Sequence, residues 1–515
     1  MREIVNWLGM KLFTRRLQRI ENFMRYPLET QERVFQYLVG AARDTVFGKK
    51  YEFSPTMSLA LFQKRVPLVT YEEFYPYIER SLRGEANLLW HTPQIGFAKS
   101  SGTTNSRSKY IPITKESLEN AHYEAGKDML AIYTNNYPES KLFTGKGLAV
   151  GGSLQPNPIT GEKNCGDVSA LIMKNLPIWA EYMRTPTLEI ALMEQWEEKI
   201  EVMARAVAQE NVTSIQGVPT WTIFLIKKVL EITGKKSILE VWQNLECFFH
   251  GAVAFEPYRS FFQELIPSPQ MNYMEVYNAS EGFFALQDQT NSSDLLLLLD
   301  SGVFYEFIPM EEWDKAEPRT LTLDEVELDK NYAVVISTNG GLWRYKIGDT
   351  VRFTNLFPFR IRITGRTKHF INAFGEEIVV ENADEALAEA CRQTGARLKE
   401  YTAAPVYFQH LEEATQTQKG GHQWLVEFEK EPDNLDKFVY HLDQHLRKIN
   451  SDYDAKRTAD LALVLPKVQV LPAQTFFNWL KSKGKVGGQN KVPRLSNTRE
   501  YVESILALVE GGEKK

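Results

Sequence analysis

Cysteine is scarce and scattered: Cys165, Cys247 and Cys391 are the only three in 515 residues, odd in number and without metal-ligand spacing. That excludes a disulfide framework and a zinc module, and it suits a reduced compartment. All three read as structural. Long apolar runs are missing as well. Past the N-terminal segment the longest is Leu295 to Leu299, far too short to span a bilayer. The start, MREIVNWLGMKLFTRRLQRIENF, spaces Ile4, Leu8, Leu12 and Leu17 among cations and lacks the uninterrupted apolar core of a signal peptide. It predicts an amphipathic helix packed on its own domain. An excess of positive charge is also absent: 60 Lys and Arg stand against 66 Asp and Glu, a net charge of -6. No basic stripe interleaved with aromatics is left to serve a polynucleotide. Internal repeats and low-complexity linkers are lacking, and the expected location is cytoplasmic.

What is present is an ordinary globular composition, 43% hydrophobic and 24% charged, in a chain longer than one core usually organises. Two or three structural units are expected. From about Thr30 to Leu130 the pattern is mainly helical, interrupted by a polar loop from Gly96 to Pro112. Gly, Pro and Asn crowd Gly145 to Pro186, where glycines either approach a ligand or turn the chain, and a long helical stretch runs from Leu188 through Gln209. Short apolar runs then alternate with helices through VTSIQGVPTW, LECFFHGAVAF and MNYMEVYNASEG, the rhythm of a largely parallel α/β sheet. Active residues in such sheets stand just past the strand ends. Asp300-Ser301-Gly302 and Asn339-Gly340-Gly341 predict hairpin turns in an antiparallel β region. A switch near Gly365 to a strand, a polar link and a new helix sets the main boundary, giving an N-terminal region over 1–365 and a smaller α+β domain over 366–515.

Three segments carry chemistry. Lys99-Ser-Ser-Gly-Thr-Thr-Asn-Ser-Arg-Ser-Lys109 gathers hydroxyls, a glycine and cations. Backbone N–H groups and hydroxyls in such a loop wrap an anion, and Lys109 supplies a point charge to phosphate oxygens. The spacing is not that of a Walker A loop, and a solvated surface loop has the same composition. Tyr277-Asn-Ala-Ser-Glu-Gly282 follows an apolar stretch and offers a ring to stack on a purine and a carboxylate, Glu281, to hold a Mg²⁺ that bridges phosphates. A tyrosine so placed is more often simply core. Leu342-Trp-Arg-Tyr-Lys-Ile-Gly-Asp349 puts Asp349 after a hairpin, where its carboxylate either accepts hydrogen bonds from both hydroxyls of a ribose or caps its own turn.

In chain order SSGTTNSRSK, YNASEG, RYKIGD and GRTKHFINAFGEEI resemble the adenylate-forming superfamily of acyl-CoA ligases, luciferases and peptide-synthetase adenylation domains. Within it the chain is most similar to the auxin-responsive Gretchen Hagen family of acyl-acid amido synthetases, through SSGTT with Lys109-Tyr-Ile-Pro112 after it, FYEFIP and the late QNKVPR. The likeness runs from Arg43-Asp-Thr-Val-Phe-Gly48 over nearly the whole chain. It implies the adenylate-forming architecture: a large N-terminal region of α/β sheets with a β subdomain, and a small mobile C-terminal domain swinging on a hinge around Arg366 to His369. Carried over, Ser100, Ser101, Gly102, Thr103, Thr104 and Lys109 would cradle phosphates, and Tyr277, Ala279 and Ser280 would flank the adenosine. Glu281 would hold Mg²⁺, Asp349 would bind the ribose, and Arg366 would add a ribose or phosphate contact. Gly251-Ala252-Val253 and the helix start at Trp221 look like the acyl-pocket segments. Lys491, in Gln489-Asn-Lys-Val-Pro-Arg494, fits the adenylation lysine, with Lys485 as its rival. Two departures stand out: Asn105-Ser106 where relatives often carry glycine, and His369 where many carry an acid.

The function so implied uses ATP and Mg²⁺ to convert a small carboxylic acid to its acyl-adenylate and passes the acyl group to an amine, expected to be an amino acid. The base that deprotonates the amine is not identified. A ligase with coenzyme A as acceptor and a non-catalytic nucleotide-binding protein on the same fold are the rivals.

Overall fold

The computed structural model describes residues 2–100, 109–253, 255, 258–313, 315–367, 370–407, 420–458, 463–483 and 492–512. The chain divides into two compact units, one ending at Thr367 and the other running from Lys368 to Lys515.

The first unit is built on an 11-stranded sheet. Its first half is parallel: β3 (Lys146–Val150), β6 (Arg184–Thr185), β7 (Val212–Gly217), β8 (Cys247–His250) and β9 (Asn272–Ala279) lie in the order β9-β8-β7-β3-β6. Helices such as Trp196–Val207 and Pro219–Thr233 connect them, the crossover connections that parallel strands require. The second half is antiparallel: β10 (Gly282–Gln287), β11 (Leu295–Leu297), β12 (Val303–Pro309), β13 (Asn331–Thr338), β14 (Tyr345–Leu356) and β15 (Phe359–Arg366), ordered β12-β13-β14-β15-β11-β10 beside β9. A separate four-stranded sheet pairs β2 (Lys109–Thr114), β1 (Gln94–Ser100), β5 (Cys165–Gly166) and β4 (Leu154–Gln155). The N-terminal helices Pro27–Ala42 and Tyr71–Leu82, the latter opened by a Thr70/Glu73 capping box, bury Phe35, Leu38, Phe74 and Ile78 in one core with Trp90 and with Trp343, Tyr305 and Phe353 of the antiparallel half.

Several elements differ from expectation. The stretch from Gly96 to Pro112 is not one loop, because Phe97, Ala98, Ile111 and Ile113 are buried and make β1 and β2 a hairpin. The turn at 300–302 exists, with Gly302 at φ +73°, yet it joins no hairpin: β11 pairs with β10 and β15, and β12 with β13. The helical stretch after Leu188 is two helices, Leu188–Ala191 and Trp196–Val207.

The second unit is α+β. A two-stranded ribbon, β16 (Phe370–Ile371) and β17 (Ile378–Val379), precedes a three-stranded sheet of β18 (Arg397–Val406), β19 (Gly421–Lys430) and β20 (Lys467–Val470). The helices Val380–Thr394 and Leu435–Ile449 accompany it, and Ala404, Leu425, Phe476, Trp479, Val502 and Ile505 form one core cluster there. No helix among the described residues is long and apolar enough to cross a membrane.

Candidate active site

Parallel strands β3, β7, β8 and β9 end at Val150, Gly217, His250 and Ala279. The residues just past those ends therefore share one edge, where ligands gather in open α/β sheets. Glu281 stands there, in the two-residue Ser280-Glu281 turn between Ala279 and Gly282, which face each other across β9 and β10.

Asp349 arrives from the antiparallel half. It lies directly opposite Arg366 in the β14–β15 register, and Arg366 Nε donates to its Oδ1 at 2.9 Å. Tyr277 Oη donates to Oδ2 at 2.7 Å. β9 and β14 are four places apart in the sheet order, about 19 Å if the sheet were flat at about 4.8 Å per strand. The bond therefore requires a strongly curled sheet, with Tyr277 reaching across the inside of the curl. Phe284 packs edge-on against Tyr277 at 5.0 Å, and Tyr277 is only 6% exposed. Gly348, within β14 just before Asp349, has φ +96°, a left-handed backbone conformation that glycine adopts at least cost.

Electrostatics ties these groups together. Desolvation lifts the Glu281 carboxyl to about 7 against the pull of Lys109, its own backbone N–H and Arg366, with Asp349 pushing the same way as desolvation. Lys109 opens β2 opposite Ser100, the last residue of β1, and its Nζ sits 5.6 Å from the Tyr71 ring centre. Residues Ser101, Gly102, Thr103 and Thr104 lie outside the described residues, as do His369, Lys485 and Lys491. Among the described residues, no three His, Cys, Asp or Glu side chains gather as a metal site.

The acyl-pocket candidates stand at the same edge. Gly251 follows β8, and a Cβ there would meet Val276 O at 2.5 Å, so only glycine fits beside β9. Ala252 adopts φ +71° and is exposed, while Val253 is buried. Trp221, half-buried, is in the first turn of Pro219–Thr233 and lies 6.2 Å from Phe224.

Sequence reasoning missed two groups. Tyr345 is fully buried, its hydroxyl has no hydrogen-bond partner among the described residues, and Glu281 is among the charges acting on it. Its place four residues before Asp349 was the available signal. Lys199, buried and pushed down to about 8 by desolvation, donates to Gly151 O at 2.7 Å and Gly152 O at 3.0 Å. The glycines after β3 are therefore a packed turn: a Cβ on Gly151 would strike Met173 Cε at 2.6 Å, and one on Gly152 would strike Asp167 Oδ2 at 1.8 Å.

The mixed sheet that holds Asp349 between Arg366 and Tyr277 has a fold that recurs in solved ligases. A solved GH3.15 acyl acid amido synthetase in complex with 2,4-DB superposes with TM-score 0.61 over 95% of each chain at 16% identity. A 2-hydroxyisobutyryl-CoA ligase bound to 2-HIB-AMP and CoA gives 0.51 over 94% of this chain and 92% of that one at 15% identity. Residues 16–271, 296–366 and 381–500 match, in turn, the N-terminal, central and C-terminal domains of the GH3 family, and the chain belongs to that family. Among its relatives, the Arabidopsis thaliana indole-3-acetic acid-amido synthetase GH3.3 is 21% identical over 95% of this chain and 93% of its own length.

Proposed function

We propose that the chain is an acyl-acid amido synthetase: it spends ATP to adenylate a small carboxylic acid and transfers the acyl group to an amine, an amino acid by preference. The observation that carries this reading is the convergence of Asp349, Arg366, Tyr277, Glu281 and Lys109 in a GH3-family chain. Asp349 takes the ribose hydroxyls, and Arg366 holds its carboxylate while facing the nucleotide. The hydroxyls of Ser100, Ser101, Thr103 and Thr104, with the Gly102 backbone and Lys109, screen the phosphates, while Ala279 and Ser280 border the adenosine. Trp221 and Gly251-Ala252-Val253 border the acid.

Glu281 suits Mg²⁺, which in phosphate sites takes one or two carboxylates and completes its octahedron with phosphate and water. Its desolvated carboxyl is raised because nearby cations do not fully offset burial, and a divalent ion makes up that deficit. Bound there, the ion would neutralise phosphate charge.

The acid's carboxylate oxygen attacks the α-phosphorus as the bond to pyrophosphate breaks. Two anions must meet, so Lys491 and the loop donors offset their repulsion and hold them in line. The amine nitrogen then attacks the mixed-anhydride carbonyl, AMP leaves with the C–O bonding pair, and the nitrogen sheds a proton. A C-terminal domain that turns about Arg366 to His369 brings Lys491 in for the first half-reaction and withdraws it for the second. The unpaired, buried Cys165 and Cys247, both thiols raised by desolvation, suit a cytoplasmic location.

The acceptor is tested by mass analysis of products from ATP, Mg²⁺, an aryl or indolyl acid and either the twenty amino acids or coenzyme A. Amides with amino acids support the reading; a thioester alone overturns it in favour of a coenzyme A ligase.

A further inference from the structure

We infer that Tyr277 is a positioning residue whose hydroxyl sets the orientation of the Asp349 carboxylate toward the ribose, rather than a platform on which the purine stacks. The inference rests on the ribose reading of Asp349 and adds a second anchor to it. A carboxylate on a short side chain is free to turn about two bonds. Arg366 Nε restrains Oδ1 at 2.9 Å and Tyr277 Oη restrains Oδ2 at 2.7 Å, so a separate donor on each oxygen fixes its plane. Each carboxylate oxygen has two acceptor sites, which leaves one on each for a ribose hydroxyl. The two anchors also come from different parts of the sheet: Arg366 is the cross-strand neighbour, whereas Tyr277 reaches from four strands away. The carboxylate is thus held against both the β14–β15 hairpin and the parallel half of the sheet.

The alternative use of Tyr277 requires an open ring face. At 6% exposure, with Phe284 edge-on at 5.0 Å, the ring has little face to offer a base. Its hydroxyl donates to the carboxylate, so the tyrosine stays protonated, and both burial and the Asp349 charge hold it so.

The test measures acid-dependent pyrophosphate release with ATP, 2′-deoxy-ATP and 3′-deoxy-ATP for the wild type, Tyr277→Phe and a control. Tyr305→Phe serves as the control, since it removes another buried hydroxyl of this sheet, one bonded to Leu298 O and Phe284 O rather than to Asp349. Losing one hydrogen bond to a charged group costs about tenfold or more. Tyr277→Phe is expected to raise KM for ATP about tenfold and to shrink the preference for ATP over the deoxynucleotides by a similar factor. Tyr305→Phe leaves that preference at the wild-type value. Tyr277→Phe losing activity equally on all three nucleotides overturns the inference and returns Tyr277 to a packing or stacking role. A wild type that does not distinguish ATP from either deoxynucleotide overturns the ribose reading of Asp349 itself, and the inference with it. Should Tyr277→Phe fold poorly at the assay temperature, the three nucleotides are compared at a lower temperature at which its far-UV circular dichroism matches the wild type, and the same two outcomes decide.

Discussion

Arg344, inside the motif that ends at Asp349, is expected to act through stability rather than chemistry. It is 6% exposed at its side chain and pairs with Glu306, 1% exposed, through Nε to Oε2 and Nη2 to Oε1, both at 3.0 Å. Its Nη1 also donates to Gln63 O at 2.9 Å and Val66 O at 2.8 Å, and Nη2 donates to Thr320 Oγ1 at 2.8 Å. Gln63 Nε2 and Thr320 Oγ1 complete the Glu306 shell at 3.0 and 2.7 Å. Removing the guanidinium leaves a buried carboxylate and two buried carbonyls short of donors, a cost of about 3–5 kcal/mol. Arg344→Met is therefore expected to lower unfolding stability in denaturant titration by that amount. Glu306→Gln should cost less in the Arg344→Met background than alone, because the stranded charge is what hurts. A loss under about 1 kcal/mol, typical of exposed pairs, or strict additivity of the two changes would refute this account.

Three further outcomes are expected. His122 is fully desolvated, with neither ring nitrogen partnered among the described residues, and burial pushes it down to about 4. The unfolded chain takes up a proton near 6.5 that the native state refuses, so stability falls as pH drops from about 6.5 to 4, by up to about 1.4 kcal/mol per pH unit; denaturation at pH 7 and 5 should show His122→Leu less pH-sensitive, and an unchanged slope contradicts it. Lys491→Ala should cut adenylation about a hundredfold or more while turning over preformed acyl-adenylate nearly normally, and equal losses in both half-reactions would sink the two-step division. Gly251→Ala must displace its Cβ from the Val276 carbonyl 2.5 Å away, a cost of about 1–3 kcal/mol, read as a raised KM for the acid in pyrophosphate release; a neutral result contradicts the close approach.

Several residues of the candidate site could be singled out in the chain because they sit in short local patterns at strand ends. Tyr277 and Glu281 lie four apart around one turn, whereas Asp349 and Arg366 belong to separate motifs that the β14–β15 register sets opposite each other. What could not be read were relations across the sheet. The Tyr277 hydroxyl finds its acceptor 72 residues on, and no periodicity encodes the curl that brings them together. The Asp300-Ser301-Gly302 turn was visible, but β11 and β12 part to different neighbours, a choice of long-range pairing. β1 and β2 were hidden because hydroxyls and glycine between them dominate the local composition. The cation of Lys199 gave no sign that it closes on two glycine carbonyls 47 and 48 residues away, since a buried lysine is recognised only by its surroundings.

The measurement that bears most directly on the central claim is pyrophosphate release from ATP and Mg²⁺ across aryl, indolyl and fatty acids, with hydroxylamine present to trap the activated acyl group. Acid-dependent release matched by hydroxamate is the predicted result. A protein that binds nucleotide yet releases no pyrophosphate and forms no hydroxamate with any acid of a broad panel would contradict the account and leave a nucleotide-binding protein on an enzyme's fold.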